Sequence, residues 1–257
     1  MTQLRVVAGL GARSVRSAFR RPQFLAPILV FPSLFLAVNT GGAGRAVDIP
    51  GFPHVNGFLD FELAGAMLQS TMLAGITGGI ALAIDIEMGF IDRLLAAPIA
   101  RWTFVVGRLA ATGMLGLVAA VWFLAIGLVF GATIEAGPAG ALLVLVLVPL
   151  TAMAFGGLAA ALALITGRTS VVQSIFPLVF VILFMSSAFF PEHLLLEPAS
   201  SIASWNPLSL VADGLRDPIV SGITASTLAD ALGGIAIIGA AGFVLSAAGL
   251  RRRLRAA

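Results

Sequence analysis

The sequence predicts an all-α membrane protein with six transmembrane helices, and three observations carry that expectation. Hydrophobic residues make up 59% of the chain and charged residues 11%, with a mean hydropathy of +1.06, more apolar surface than one water-soluble core of 257 residues could hide. The apolar residues fall into separate runs of roughly the 20 residues needed to cross a hydrocarbon core. The arginines gather in alternate connections between those runs.

The elements follow in chain order. Residues 1–21 place Leu4, Val7, Gly11, Val15, Ala18 and Phe19 on one side of a helical wheel and Arg5, Arg13, Arg16 and Arg20 on the other. That pattern suits an amphipathic helix lying in the membrane interface against anionic lipid headgroups; a basic flank that only sets orientation is the alternative, and the arrangement argues against a signal peptide. Spans are expected at about residues 24–38, 63–84, 104–130, 139–166, 171–189 and 228–250. The first is short and holds Pro27 and Pro32, so its ends extend into polar residues. Pro149 and Pro177 should kink the fourth and fifth, as hinges or as static bends. No repeat or linker divides the chain, which reads as a single domain over residues 1–257. Small residues in Gly75-Ile-Thr-Gly78-Gly79, Gly156-Gly157 and Gly239-Ala-Ala-Gly242 are expected where helices pack closely.

Six spans put both termini on one face. That face carries 13 of the 15 basic residues, all of them arginine, while the opposite face holds Arg45, Arg216 and nine of the 12 acidic residues. The positive excess assigns the first face, and both termini, to the cytoplasm. The absence of lysine and the weight of Ala, Gly, Val and Leu suggest a GC-rich bacterial source, hence a bacterial plasma (inner) membrane. A formal charge of +3 gives no reason to expect nucleic acid.

Several function classes lose ground. Without cysteine there is no disulfide, thiolate nucleophile or Cys-based metal site. His54 and His193 fall in outer connections with no second ligand at metal spacing. Between the expected helix ends there is no Asp, Glu, His or Arg well inside a span, although a proton-coupled transporter or an intramembrane protease needs such a group. The expectation is a chain with no catalytic residue, no metal and no cofactor of its own.

Two motifs are informative. Between the second and third spans lies Glu87-Met-Gly89-Phe-Ile-Asp92-Arg93-Leu94-Leu-Ala-Ala-Pro98-Ile99-Ala-Arg101, with helical character from Glu87 to Ala97 until Pro98 ends it. A short amphipathic helix beneath the membrane suits docking to another protein, or simple adsorption to the interface. Before the last span comes Trp205-Asn206-Pro207-Leu208, continuing to Arg216. There Asn206 can cap a helix that has Pro207 at its first position and Leu208, Val211, Ala212 and Leu215 on one face. Trp205 suits an outer gate or a plain interfacial anchor.

In these motifs the chain resembles the ABC-2 type permease family, in particular its daunorubicin-resistance-like drug and lipid exporters. Those exporters have a Glu-x-Gly-x-x-x-Arg-Leu-x-x-x-Pro-(Val/Ile)-x-Arg pattern between the second and third spans. Glu87, Gly89, Arg93, Leu94, Pro98, Ile99 and Arg101 match it, while Ala100 stands where serine is common. The resemblance implies that this segment is the coupling helix that contacts an ABC ATP-binding subunit, and that Trp205, Asn206, Pro207 and Arg216 belong to a short re-entrant outer-gate helix. It also implies a second permease subunit, identical or a sister chain, with ATP and Mg on the partner ATPase. A phosphate-binding loop requires lysine, and this chain has none. The expected function is the membrane half of an ATP-driven exporter for a small amphipathic drug or lipid-like substrate. The alternatives are a gradient-driven transporter or channel and a non-transporting scaffold.

Overall fold

The computed structural model describes residues 16, 20, 22–90 and 101–256, with side chains at 16, 20, 24–90 and 107–252. The described residues form helices joined by short connections: α1 (Pro22–Ala43), α2 (Phe58–Glu87), α3 (Arg101–Val129), α4 (Gly137–Thr166), α5 (Thr169–Ser174), α6 (Phe176–Phe184), α7 (Ala199–Trp205), α8 (Pro207–Val220) and α9 (Ala225–Ala256). Among the described residues, five segments are long and apolar enough to cross a membrane: Phe24–Asp48, Phe58–Glu87, Gly107–Val129, Gly137–Thr166 and Ala225–Arg252. The chain is a multi-pass membrane protein.

The segment expected to be the fifth span differs. It forms two short helices, α5 and α6, of six and nine residues. The break falls at Ile175, and Pro177 stands in the first turn of α6, where a missing N–H costs nothing. The proline therefore marks a restart and not a bend within one helix. Pro149 does lie inside α4, and Pro27 and Pro32 inside α1. The other difference is at the start of α2, at Phe58 instead of residue 63, which brings Asp60 and Glu62 into its first two turns.

α2 is the central helix. Its apolar window is 78% buried, against 17% for α1, and it packs on α1, α3, α4 and α8. α4 packs in turn on α3 and α9. These approaches are close because the facing residues are small. A methyl group added at Gly75 would lie 2.6 Å from Phe155 Cβ, one at Gly79 would lie 2.6 Å from Ala159 Cβ, and one at Gly242 would lie 2.8 Å from Leu158 N. The core of the bundle is the interlock of α2, α4 and α9, filled by Met67, Leu68, Leu73, Leu147, Val148 and Ala152.

A substitution that overfills this seam should be costly. Gly79→Val is expected to destabilise the detergent-solubilised protein by about 1–3 kcal/mol, read as a lower unfolding midpoint. Gly233→Ala in α9, with no atom near the added methyl, should leave the midpoint unchanged or slightly raised. Equal effects of the two would refute the close-packing account.

Candidate functional site

One end of the bundle carries the arginine-rich connections and the other the acidic ones, and polar groups tie α2 to its neighbours at both. At the basic end, the Arg108 Nη1 of α3 donates to Asp85 Oδ2 at 2.7 Å, with both side chains about nine-tenths buried. Two residues further on, Glu87 accepts a bond from the Thr169 backbone N–H at 2.7 Å and another from its hydroxyl at 2.9 Å. Thr169 is the first residue of α5, so the Glu87 carboxylate caps that helix, where the backbone dipole favours a negative charge. These bonds hold the Glu87 carboxylate where the first basic connection meets the second.

Gly89 has a structural reason for its place. Its φ is +66°, and its N–H donates to Ile86 O at 2.9 Å as α2 ends. This left-handed terminus strains any residue with a Cβ. The stretch 91–100, which includes Arg93, Leu94 and Pro98, lies outside the described residues, as do Arg5 and Arg13. Arg101 opens α3. Arg16 and Arg20 are both exposed, joined by a helical backbone bond of 3.1 Å.

The acidic end is organised by Arg216 on α8, which is buried. Its Nη1 donates to Asp213 Oδ1 at 2.6 Å, and its Nη2 donates to the backbone carbonyls of Ser187 and Ala188 at 2.7 and 2.9 Å. The guanidinium also lies 3.9 Å from the centre of the Phe61 ring on α2, close enough for a cation–π attraction. One planar cation thus joins α8, the chain leaving α6, and α2. Burial raises the Asp213 carboxyl above its ordinary range, and the Arg216 charge pulls it back. Burial lowers the Arg216 value, and Asp213 offsets that.

Asn206 adds a second joint. Its Oδ1 accepts from the Leu208 N–H at 3.0 Å, capping α8 with Pro207 in its first turn. Its Nδ2 donates to the carbonyls of Ile182 and Met185 at 3.0 and 2.8 Å, at the C-terminal end of α6. Leu208, Val211, Ala212 and Leu215 are all buried. Trp205 is 90% exposed and touches none of this network, so the geometry leaves it as an outward-facing ring suited to an interface. Asp60 accepts from the Thr133 N–H at 3.3 Å and its hydroxyl at 3.4 Å, tying the α3–α4 connection to the start of α2.

Sequence reasoning missed Glu62, which is 0% exposed and accepts from Asn39 Nδ2 of α1 at 2.7 Å. It also missed Thr169 and the pairing of Asp213 with Arg216. The available signal was a carboxylate inside the apolar run Phe61-Glu62-Leu63-Ala64, and an arginine on an otherwise buried helix face. Among the described residues, no group of three His, Asp or Glu side chains could hold a metal ion.

Comparison with known proteins places these features in context. The model of a family described as ABC-2 type transporter matches residues 6–220. A protein of Porphyra purpurea named as a transport permease, ycf38, is 26% identical over 212 residues, covering 82% of this chain and 72% of its own. The like-named protein of Pyropia yezoensis is 26% identical over 215 residues, with the same coverage.

The acidic-end joints are separable by substitution. Arg216→Ala, which leaves Asp213 without its cation, should cost about 3–5 kcal/mol. Asn206→Ala should cost about 1–2 kcal/mol through the lost cap and orphaned carbonyls. Thermal unfolding in detergent checks both; Trp205→Ala should stay within about 0.5 kcal/mol, and a larger loss there would contradict its exposed placement.

Proposed function

The chain belongs to the ABC-2 type transporter family, and from that premise we propose that it is the membrane-spanning permease subunit of an ATP-driven exporter. What carries the reading is the family match over residues 6–220 in a chain that has no lysine with which to build a phosphate-binding loop. ATP and Mg are then held by a separate ABC ATPase, and this chain does no chemistry. Two permease subunits, identical or sister chains, pair in a bacterial plasma membrane and move a small amphipathic drug or lipid-like substrate outwards.

The proposed topology has six crossings with both termini cytoplasmic. Contacts support the sixth crossing although no long helix makes it. The segment starts at Thr169, bonded to Glu87 at one end of α2, and reaches Ser187, bonded to the arginine that stacks on Phe61 at the other end.

The coupling path follows the same contacts. ATP-driven closure of the partner moves the connection from Glu87 to Arg101. Glu87 passes that motion to α5 through Thr169, the break at Ile175 lets α5 and α6 move as separate rods, and Asn206 delivers it to α8 and the Arg216 joint. α8 then acts as the outer gate, re-entering from the far face. Interfacial Arg5, Arg13, Arg16 and Arg20 hold the N-terminal helix on the cytoplasmic leaflet. The buried Glu62 is the one observation that favours a gradient-driven transporter instead, because it supplies an ionisable group within α2; that reading requires flux without ATP.

Affinity capture of the tagged chain from detergent-solubilised native membranes should bring down a soluble ABC ATPase, and Arg93→Ala should release it. Glu87→Ala and Thr169→Val should each cut transport per ATP hydrolysed at least several-fold, with Thr169→Val retaining the ATPase. Capture that repeatedly finds no ATPase would overturn the exporter reading; a silent Thr169→Val would break the path through α5.

A further inference from the structure

Among the described residues, Glu62 Oε2, Thr40 Oγ1 and both amide atoms of Gln69 are buried with no hydrogen bond, and Glu62 and Gln69 are each 0% exposed. Glu62 and Gln69 are seven residues apart on α2, which puts them within about 20° of one another around the axis and about 10 Å apart along it. Thr40 sits beside Asn39, whose amide holds the other Glu62 oxygen. Glu62 and Gln69 therefore share the side of α2 that meets Asn39 of α1.

That side is short of positive charge. Arg216 is the cation near Glu62, but its donors go to Asp213 and to the carbonyls of Phe61, Ser187 and Ala188. Glu62 is in no ion pair among the described residues. A buried carboxylate needs a cation or a proton.

The surroundings narrow the choice. Gly65, between Glu62 and Gln69 on neighbouring turns of the same side, faces the Phe189 ring, 3.0 Å from where its Cβ would be. Phe35 lies one turn before Asn39 on α1, and its ring centre is 4.9 Å from that of Phe189. A carboxylate, an amide and aromatic faces in an apolar seam match a lipophilic ammonium group, which both the charge and the rings attract. α1 is the element able to uncover them. Its apolar stretch is 17% buried, and among the described residues Asn39 bonds to Glu62 and the Ser70 hydroxyl to Ile28 O. Pro27 and Pro32 each remove one of its helical bonds.

We propose that Glu62 and Gln69, with the Phe35 and Phe189 rings beside them, form the recognition site for the cationic nitrogen of an amphipathic amine, entered when α1 separates from α2. The site names the substrate class of the exporter proposed above and rests on that reading only for the direction of movement. Binding to the chain alone requires no ATPase.

The test uses the purified full-length chain in lipid nanodiscs, with empty nanodiscs as the partition control. Its probe is a dansyl-labelled dodecyl chain ending in trimethylammonium, compared with the uncharged tert-butyl isostere. Wild type should bind the ammonium probe on the order of tenfold more tightly than the isostere. Glu62→Gln should bring the ratio near one, and Glu62→Asp should keep most of it. Phe35→Leu leaves every polar group in place and should weaken the ammonium several-fold with the isostere almost unmoved. It decides the matter if Glu62→Gln does not fold. A wild-type ratio near one, or a ratio indifferent to both Glu62→Gln and Phe35→Leu, overturns the site. An ATPase captured by a chain with no ammonium preference would leave the exporter reading standing and this one refuted.

Discussion

Everything in this bundle is arranged around the need to bury α2. A helix surrounded by other helices in lipid has no water to satisfy its polar groups, so each must find a partner on a neighbouring element. α2 meets that need mainly at its ends. Asp60 bonds to the α3–α4 connection and Glu62 to α1, while Asp85 pairs with α3 and Glu87 with α5. Between those ends the helix is held by shape instead, since Gly75 and Gly79 let α4 approach to backbone contact. The two modes divide the work. Close packing fixes the distance between helices, and the charged ends fix register along their axes.

The acidic end shows why arginine occupies position 216. Lysine offers a single point of charge, whereas the guanidinium presents a planar fork whose edges can be used separately. Here one edge reaches Asp213, another reaches two successive carbonyls at 187 and 188, and the face lies on Phe61. The carbonyls belong to backbone that has left α6 and would otherwise be orphaned in a buried turn. Asn206 does the same for the carbonyls of Ile182 and Met185. Together they satisfy the backbone where α6 ends and the chain turns. The end of α6 and the polar residues of α8 are therefore one feature, seen from its two sides.

How much of this was legible in the sequence depended on how local each signal is. Hydropathy and length revealed the long helices, because crossing hydrocarbon demands them, and Asn206 followed by Pro207 announced a helix start through cap chemistry that involves only neighbouring residues. The glycine runs likewise pointed to close packing. The beginning of α2 was misplaced because Asp60 and Glu62 lower the hydropathy of a stretch that is nevertheless helical and buried, their charge being managed by Asn39 and Thr133 from elsewhere in the chain. The capping of α5 by Glu87 was invisible for the same reason. Pro177 was read correctly as a disturbance but not as a restart, a distinction that depends on whether the helix before it has already ended at Ile175.

The distribution of packing also constrains how such a bundle can change shape. Where backbones touch through glycine, as between α2, α4 and α9, a sliding or tilting motion would drive side chains into neighbouring backbone. These helices should therefore move as one body. α1 and α6 set Ile28, Leu36, Val179 and Leu183 into the same core and meet each other through edge-on phenylalanine contacts such as Phe31 with Phe180 and Phe35 with Phe184. Those contacts are individually weak, and a rotated ring can replace one with another. The chain thus has a rigid core of long helices and a face that can rearrange. Glu62 and Gln69, each with buried polar atoms that have no partner, lie on the side of α2 that meets α1. Their desolvation is a standing cost of this arrangement, which a partner for either group would offset.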